Sequence, residues 1–260
     1  MSDNHISLID LPEVPDSVDT ALKNLTDKPT KNIGTTLSDV WYLVFGGISH
    51  KADIRRLKYS AELEKYKAEL DEAISTIPLE KKIEPSVQIT AQALENSKYC
   101  VEEPELRSMF STLIANSMNA DYNQKIHPSF AEIIKQMSPL DAKVLRMFKH
   151  TNAAGLPLCN FRLVADNGGY YELSEKILLN TTLDNAIPYS QALSSLERLG
   201  LLSISSDVYL NNDAYYEKFK EHPLYAIYQK QFPSKRIDIN KGKVAPTLLG
   251  RSFIEVCVPD

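Results

Sequence analysis

The chain has 260 residues, of which 43% are hydrophobic and 24% are charged, and its formal net charge is −5. These values are ordinary for a folded protein of one large or two modest domains. They argue against a protein that coats nucleic acid non-specifically. Cys100, Cys159 and Cys257 are widely spaced and form no CxxC pair, which predicts neither a disulfide framework nor a zinc ribbon.

The N-terminal stretch predicts little regular structure. Residues 1–32 carry three prolines and six acidic residues against three lysines, which is typical of an irregular arm. They lack the basic region and the apolar core of a secretion signal. The longest apolar run, VWYLVFGGI at 40–48, has nine residues, whereas a helix that spans a bilayer needs about 20. The predicted location is cytoplasmic, with peripheral attachment at the inner membrane as the alternative.

A long amphipathic helix is predicted over IRRLKYSAELEKYKAELDEAIST, ending before Pro78. Its charged residues between Glu62 and Glu69 predict a solvated face. The alternative is that the helix meets a partner helix, in this chain or in another. Its apolar residues recur at alternating intervals of four and three, the a/d pattern of a packed stripe: Tyr59, Leu63, Tyr66, Leu70, Ala73 and Ile77.

Three further helices are expected before residue 138. One covers PSVQITAQALENSKY from near Pro85, and another begins at Pro104, since proline fits the first helical position. The third follows His127 and Pro128. Together with the long helix, these segments predict a compact helical domain over 33–137.

Residues 138–260 predict a second domain. The sequence SPLD at 138–141 has the spacing of an N-cap, a first helical residue and a capping partner. Asn-Gly-Gly at 167–169 marks a turn between two β-prone runs, and a later helix stops at Gly200 before a short strand. This order is typical of a winged helix, here with a helical insertion around 211–235. The predicted fold class is therefore mainly α: an N-terminal helical bundle followed by a C-terminal winged-helix-like α+β domain.

The sequence carries no signature of a known catalytic or cofactor site. It lacks GxSxG, GxxxxGK[ST], HExxH and GxGxxG, and no two of its five histidines are spaced like metal ligands on a helix. We therefore expect no cofactor, no metal and no enzymatic activity. His127 is either a general base or ligand at a helix start, or a capping or hinge residue, since the proline that follows favours an extended backbone before it.

A winged helix would raise the question of nucleic-acid binding. Residues 211–243 hold seven Lys or Arg against four acidic residues, interleaved with aromatic side chains. Because such rings stack bases and cations neutralise phosphates, the candidate nucleic-acid contacts are Lys235, Arg236, Lys241 and Lys243. The commoner explanation of such a pattern is that the aromatic residues form a small satellite core.

A membrane surface is a further candidate partner. An apolar segment is followed directly by basic residues, which is a pattern that docks on anionic lipid. The residues that would make this contact are Trp41, Leu43, Phe45, Arg55 and Arg56. The alternative is burial of the three apolar side chains in the helical core.

Three segments in order resemble the Abi-alpha (abortive infection) family of bacteria: EEPELRSMFSTLIANSMN, HPSFAEIIKQMSPLDAKVL and PTLLGRSFIEVCV. The resemblance extends over most of the chain from about residue 33. It implies a role in defence against phage in which an infected cell is shut down, and it implies no catalytic residues. It marks one set of positions as a family-like surface or hinge: Glu105, Arg107, His127, Pro128, Ser129, Phe130 and Glu132.

The leading hypothesis is a non-enzymatic defence protein that acts through a protein partner or through self-association. A membrane-acting effector that uses residues 37–58 is the second hypothesis. A nucleic-acid sensor that uses residues 209–243 is the third.

Overall fold

The computed structural model describes residues 31–45, 54–151 and 155–260. The predicted arm therefore lies outside the described residues except for its last two positions, which begin a helix. The last three residues of the apolar run at 40–48 and the side chains of Arg55 and Arg56 also lie outside them.

Helices make up the first half of the described chain. The long helix ends before Pro78 as predicted, and its apolar stripe packs into the main core. Pro104 occupies the first turn of its helix, also as predicted. The helices are α1 (Lys31–Phe45), α2 (Ile54–Ser75), α3 (Val87–Ser97), α4 (Pro104–Ser117) and α5 (Phe130–Lys135), with short 3-10 turns at Leu79–Lys81 and Asn123–Lys125.

Helix α6 (Pro139–Arg146) begins at the predicted capping box. The Ser138 hydroxyl accepts a hydrogen bond from the Asp141 amide at 3.1 Å, and the Asp141 carboxylate accepts one from the Ser138 amide at 2.8 Å. Two amide groups that the helix leaves unpaired are thereby satisfied. Asp141 also accepts a bond from Ser195 at 3.2 Å, so the cap joins α6 to a later helix.

A four-stranded antiparallel sheet follows, with the order β2-β1-β4-β3. The turn predicted at 167–169 joins the first two strands, and Gly168 has a φ of 81°, a value that glycine adopts without strain. Strand β1 pairs with β4 along its whole length, from Leu156 opposite Val244 to Val164 opposite Arg236. The strands are β1 (Leu156–Val164), β2 (Tyr170–Leu178), β3 (Leu202–Ser205) and β4 (Arg236–Pro246).

The remaining helices surround this sheet. Helix α7 (Ala186–Arg198) packs on β2 and on α6, and α10 (Leu248–Cys257) returns to the first half of the chain against α4. The predicted insertion contains α8 (Ala214–Glu217), a 3-10 turn (Lys218–Glu221) and α9 (Pro223–Gln231).

The predicted fold class is wrong. The C-terminal part is not a winged helix with a small wing, but a helix-flanked half-barrel sheet whose long strands are β1, β2 and β4. The hairpin and the short strand β3 were visible in the sequence. The pairing of β1 with β4 was not, because it joins segments about 80 residues apart and leaves no local periodicity.

Two hydrophobic cores hold the structure together. The main core includes residues from before and after position 138, such as Phe110, Phe130, Leu193 and Phe253. The proposed boundary at 137/138 remains a prediction. The second core lies on one face of the sheet, where Phe161 and Ile237 meet Tyr216 and Phe219 of the insertion. The aromatic residues of the insertion thus form the satellite core that their pattern favoured.

Candidate functional site

The turn that contains His127 lies on the surface at the start of α5. The His127 Nδ1 lies 2.7 Å from the Ser129 hydroxyl, and it accepts a hydrogen bond from the Ser129 amide at 3.2 Å. Both contacts are local, and they close the turn that precedes the helix. The imidazole is therefore bound to the chain of its own turn at Pro128, and its role as a capping or hinge residue stays a prediction.

Phe130, which follows the turn, packs into the main core. It is fully buried, and its ring meets that of Phe253 edge to face, with centroids 5.1 Å apart. The His127 ring lies 6.1 Å from Phe130 on the outer side. The surface turn and helix α10 are thus connected through a single pair of rings.

Arg107 is the most deeply buried charge of the family-like set, with 4% of the residue exposed. Its guanidinium donates to Glu69 Oε1 at 2.7 Å and 3.0 Å, to the Val101 carbonyl at 3.0 Å, and to Glu62. Burial acts to lower the pKa of Arg107, but the Glu69 and Glu62 carboxylates outweigh it, and the net pKa is raised. These bonds fix α2 to α4.

The remaining charged positions of the set make separate, more exposed contacts. Glu105, in the first turn of α4, lies 3.0 Å from Lys143 of α6, and Lys143 lowers its pKa. Glu132 accepts from Asn96 at 3.3 Å. The structure therefore uses these positions to join different helix pairs, and it does not gather them around one cavity.

The environment of α2 differs from the solvated one that the sequence predicted. The face between Glu62 and Glu69, expected to be solvated, supplies both partners of Arg107, and Lys67 on the same helix is buried. Within the described residues, Glu69 Oε2 is buried and has no hydrogen-bond partner. The signal available in the sequence was the seven-residue interval between the two glutamates, which places both on one face of a helix.

The candidate nucleic-acid contacts are spread along β4, from Lys235 just before the strand to Lys243 near its other end, and three of them are paired with carboxylates. Lys235 lies 2.6 Å from Asp166. Lys241 lies 2.7 Å from Asp213, and Arg236 lies 3.5 Å from Asp238. Lys243 is half-buried on β4. A phosphate would have to compete with those carboxylates, which reduces the gain that such contacts provide.

The candidate membrane contacts are divided between core and surface. Phe45 is buried, and Trp41 packs against both Phe45 and Tyr66, with ring centroids 4.7 Å and 5.4 Å away. Leu43 is 82% exposed, beside the half-exposed Tyr42. In the described part of the chain, none of the helices is long and apolar enough to cross a membrane.

Neither a reactive thiol nor a metal centre emerges from the described residues. The three cysteines are buried and unpaired, and burial raises the pKa of each thiol, which disfavours the nucleophilic thiolate. Over 31–45, 54–151 and 155–260, no cluster of three or more His, Cys, Asp or Glu is placed to hold a metal ion.

A long groove runs between α2 on one side and α6 and α10 on the other, over α4. It consists of two clefts, of about 740 Å³ and about 460 Å³, that are both lined by Glu69, Ser108, Val258 and Pro259. Glu72 of α2 and Arg251 of α10 line the larger cleft, and Glu105 lines the smaller one. We call this feature the α2–α10 groove.

Comparison with known proteins gives one match. A family model described as abortive infection alpha matches residues 58–257. No curated protein and no solved structure matches the chain. The matched residues include the Arg107 cluster, the His127 turn and nearly all of the α2–α10 groove, and the resemblance seen in the sequence is confirmed.

Proposed function

The chain belongs to the abortive infection alpha family, and from this premise we propose that it acts in bacterial defence against phage by binding another protein rather than by catalysis. The family name supports the defence role. The mode of action rests on what the family-like side chains do in the fold.

One observation carries this proposal: the polar groups of the family-like set are engaged in structural bonds. His127 closes a local turn with Ser129 on the surface, and Arg107 is enclosed by two carboxylates and a carbonyl. A general base needs a substrate within hydrogen-bond reach and a group that orients it. His127 Nδ1 already accepts a hydrogen bond from the Ser129 amide, so the ring nitrogen that could take a proton from a substrate is occupied within its own turn.

The α2–α10 groove supports a binding role. Its volume falls in the range of sites that hold ligands or peptide segments, and its walls combine apolar side chains such as Ile77 and Ile254 with hydroxyl, amide and charged groups. Such a mixture favours a polypeptide, which offers both apolar side chains and main-chain hydrogen-bonding groups.

The test is a phage challenge of cells that express the wild-type chain, the His127→Ala variant or an empty vector. We expect plating efficiency of phage to fall with the wild-type chain and equally with the variant. Purified protein is assayed in parallel for nuclease, NADase and nucleotide-hydrolysing activity. Any such activity that His127→Ala abolishes would show that the protein is an enzyme, and the proposal would be wrong.

A further inference from the structure

The α2–α10 groove is divided by residues 258–260. Val258 and Pro259 line both of its clefts, and Asp260 lines the larger one. We call Val258–Asp260 the tail segment. It leaves α10 after Cys257 and crosses above α4, between Glu69 of α2 and Arg146 of α6. The two clefts would form one continuous groove if the tail segment moved aside.

Two cations of α6 and of the turn after it hold the tail segment. The Arg146 guanidinium donates to the Asp260 main-chain carbonyl at 2.5 Å, and Lys149 Nζ donates to the Val258 carbonyl at 2.5 Å. The same ammonium lies 2.8 Å from the Asp260 carboxylate. In the present structure, this side of the groove therefore binds the carboxylate of Asp260, which follows the buried apolar Val258 by two residues.

The two ends of the tail segment are held very differently. Val258 is buried in the main core, whereas the Asp260 side chain is 97% exposed and Arg146 is also exposed. Exposed ion pairs contribute little net free energy because water and salt screen them. Pro259 and Asp260 can therefore leave the groove at small cost while Val258 stays in place.

The cations of the groove lie on one side of it. Arg146, Lys149 and Arg251 lie on the side of α6 and α10, and Glu69 and Glu72 lie on the side of α2. The one carboxylate that α10 adds to the lining of the larger cleft, Glu255, is paired with Lys125. A ligand whose negative charges face α6 and α10 would meet the same cations that now hold Asp260. The neighbouring Lys149 already lowers the pKa of the Asp260 carboxyl, so a carboxylate is favoured at that position.

We propose that the α2–α10 groove binds an acidic peptide segment of a partner protein, and that residues 259–260 act as a latch that such a segment displaces. The segment places an acidic residue at Arg146 and Lys149 and runs along α4 between the two walls. This inference rests on the proposed function, since it names the surface through which the protein would bind its partner.

The test measures binding of a fluorescein-labelled peptide by fluorescence anisotropy at low salt. The peptide, IEVSVPD with an amidated C-terminus, copies residues 254–260 with serine in place of Cys257. Because a latch reduces apparent affinity by the fraction of molecules that are open, deletion of residues 259–260 should tighten binding by about tenfold relative to the full chain. Adding Arg146→Gln and Lys149→Gln to the deletion should remove that gain. Adding Lys220→Gln and Lys230→Gln instead, which removes the same charge from the insertion and not from the groove, should leave the gain unchanged.

Two results would overturn the inference. One is equal affinity of the full chain and the deletion for the peptide. The other is equal affinity of the deletion for a peptide in which lysine replaces the aspartate. Thermal melting confirms that each variant is folded. The phage challenge remains separate: protection by the wild-type chain with no peptide binding rejects the groove and keeps the function, whereas peptide binding without protection rejects the function alone.

Discussion

Phe130 and Phe253 meet edge to face in the main core, with ring centroids 5.1 Å apart and an interplanar angle of 81°. Phe130 belongs to the His-Pro-Ser-Phe turn, and Phe253 belongs to the Leu-Gly-Arg-x-Phe sequence near the end of the chain. Two family-like segments that are remote in sequence are thus in direct contact. Helices α5 and α10 therefore pack against each other through these two rings.

This contact predicts that the two rings stabilise the fold jointly. Replacing either fully buried ring by alanine should lower the free energy of unfolding by about 3–5 kcal/mol. The double variant should lose less than the sum by about 0.5–1.5 kcal/mol, the usual worth of an aromatic pair. Urea denaturation of the four proteins measures this difference. Strict additivity would show that the rings do not interact.

The Arg107 cluster predicts a second stability effect. Arg107→Met leaves the half-buried Glu69 carboxylate without its cation and leaves Glu62 with Lys65 alone, so unfolding should become easier by about 3 kcal/mol. Lys58→Met, also on α2, is the matched control. It removes an exposed ion pair with Glu102 and should cause no measurable change in the free energy of unfolding. Chemical denaturation compares the two. Equal midpoints would mean that Arg107 does not hold α2.

The sequence predicts most of the helices, but it predicts neither the Arg107 cluster nor the contacts of the tail segment in the α2–α10 groove. The N-terminal proline of α4, the Ser138–Asp141 box and the 167–169 turn follow from local rules and are found in the structure. The interval between Glu62 and Glu69 places both on one face of α2, but local rules do not give the rotation of α2 against α4 that brings Arg107 to this face. The tail segment escaped notice for a related reason, since its cations lie more than a hundred residues earlier in the chain.

His222 predicts a pH dependence of stability. It is buried as the N-cap of α9, where Nδ1 accepts from the Leu224 amide at 3.2 Å. Thr181 donates its hydroxyl proton to the Leu178 carbonyl, so at 3.0 Å its oxygen accepts from Nε2. The ring is therefore neutral, and a proton on Nδ1 would break the cap. Burial lowers the pKa of His222, and the bond to Thr181 offsets this only in part.

Because the folded pKa lies below the unfolded value of about 6.5, the unfolded chain binds the proton more readily. This contribution to stability is complete above pH 6.5 and is lost as the pH falls through the folded pKa, with a slope of up to about 1.4 kcal/mol per pH unit. His222→Asn keeps a capping side chain but does not titrate. Urea midpoints between pH 7.5 and 5 should fall more steeply for the wild-type chain, and parallel curves would contradict the assignment.

Gly250 predicts a steric requirement at the start of α10. A Cβ at this position would lie 1.9 Å from the Leu201 carbonyl oxygen, so α10 can approach β3 this closely only with glycine there. Gly250→Ala should force the helix away and cost about 3 kcal/mol, the upper end for overpacking. Gly168→Asn is the control: it has open space and a positive φ that asparagine tolerates, and it should stay within about 0.5 kcal/mol of wild type. A melting temperature equal to that of the wild-type chain would show that the close approach of α10 to Leu201 is dispensable. Since α10 carries Phe253 and leads into the tail segment, Gly250→Ala should also change the affinity of the α2–α10 groove for the peptide.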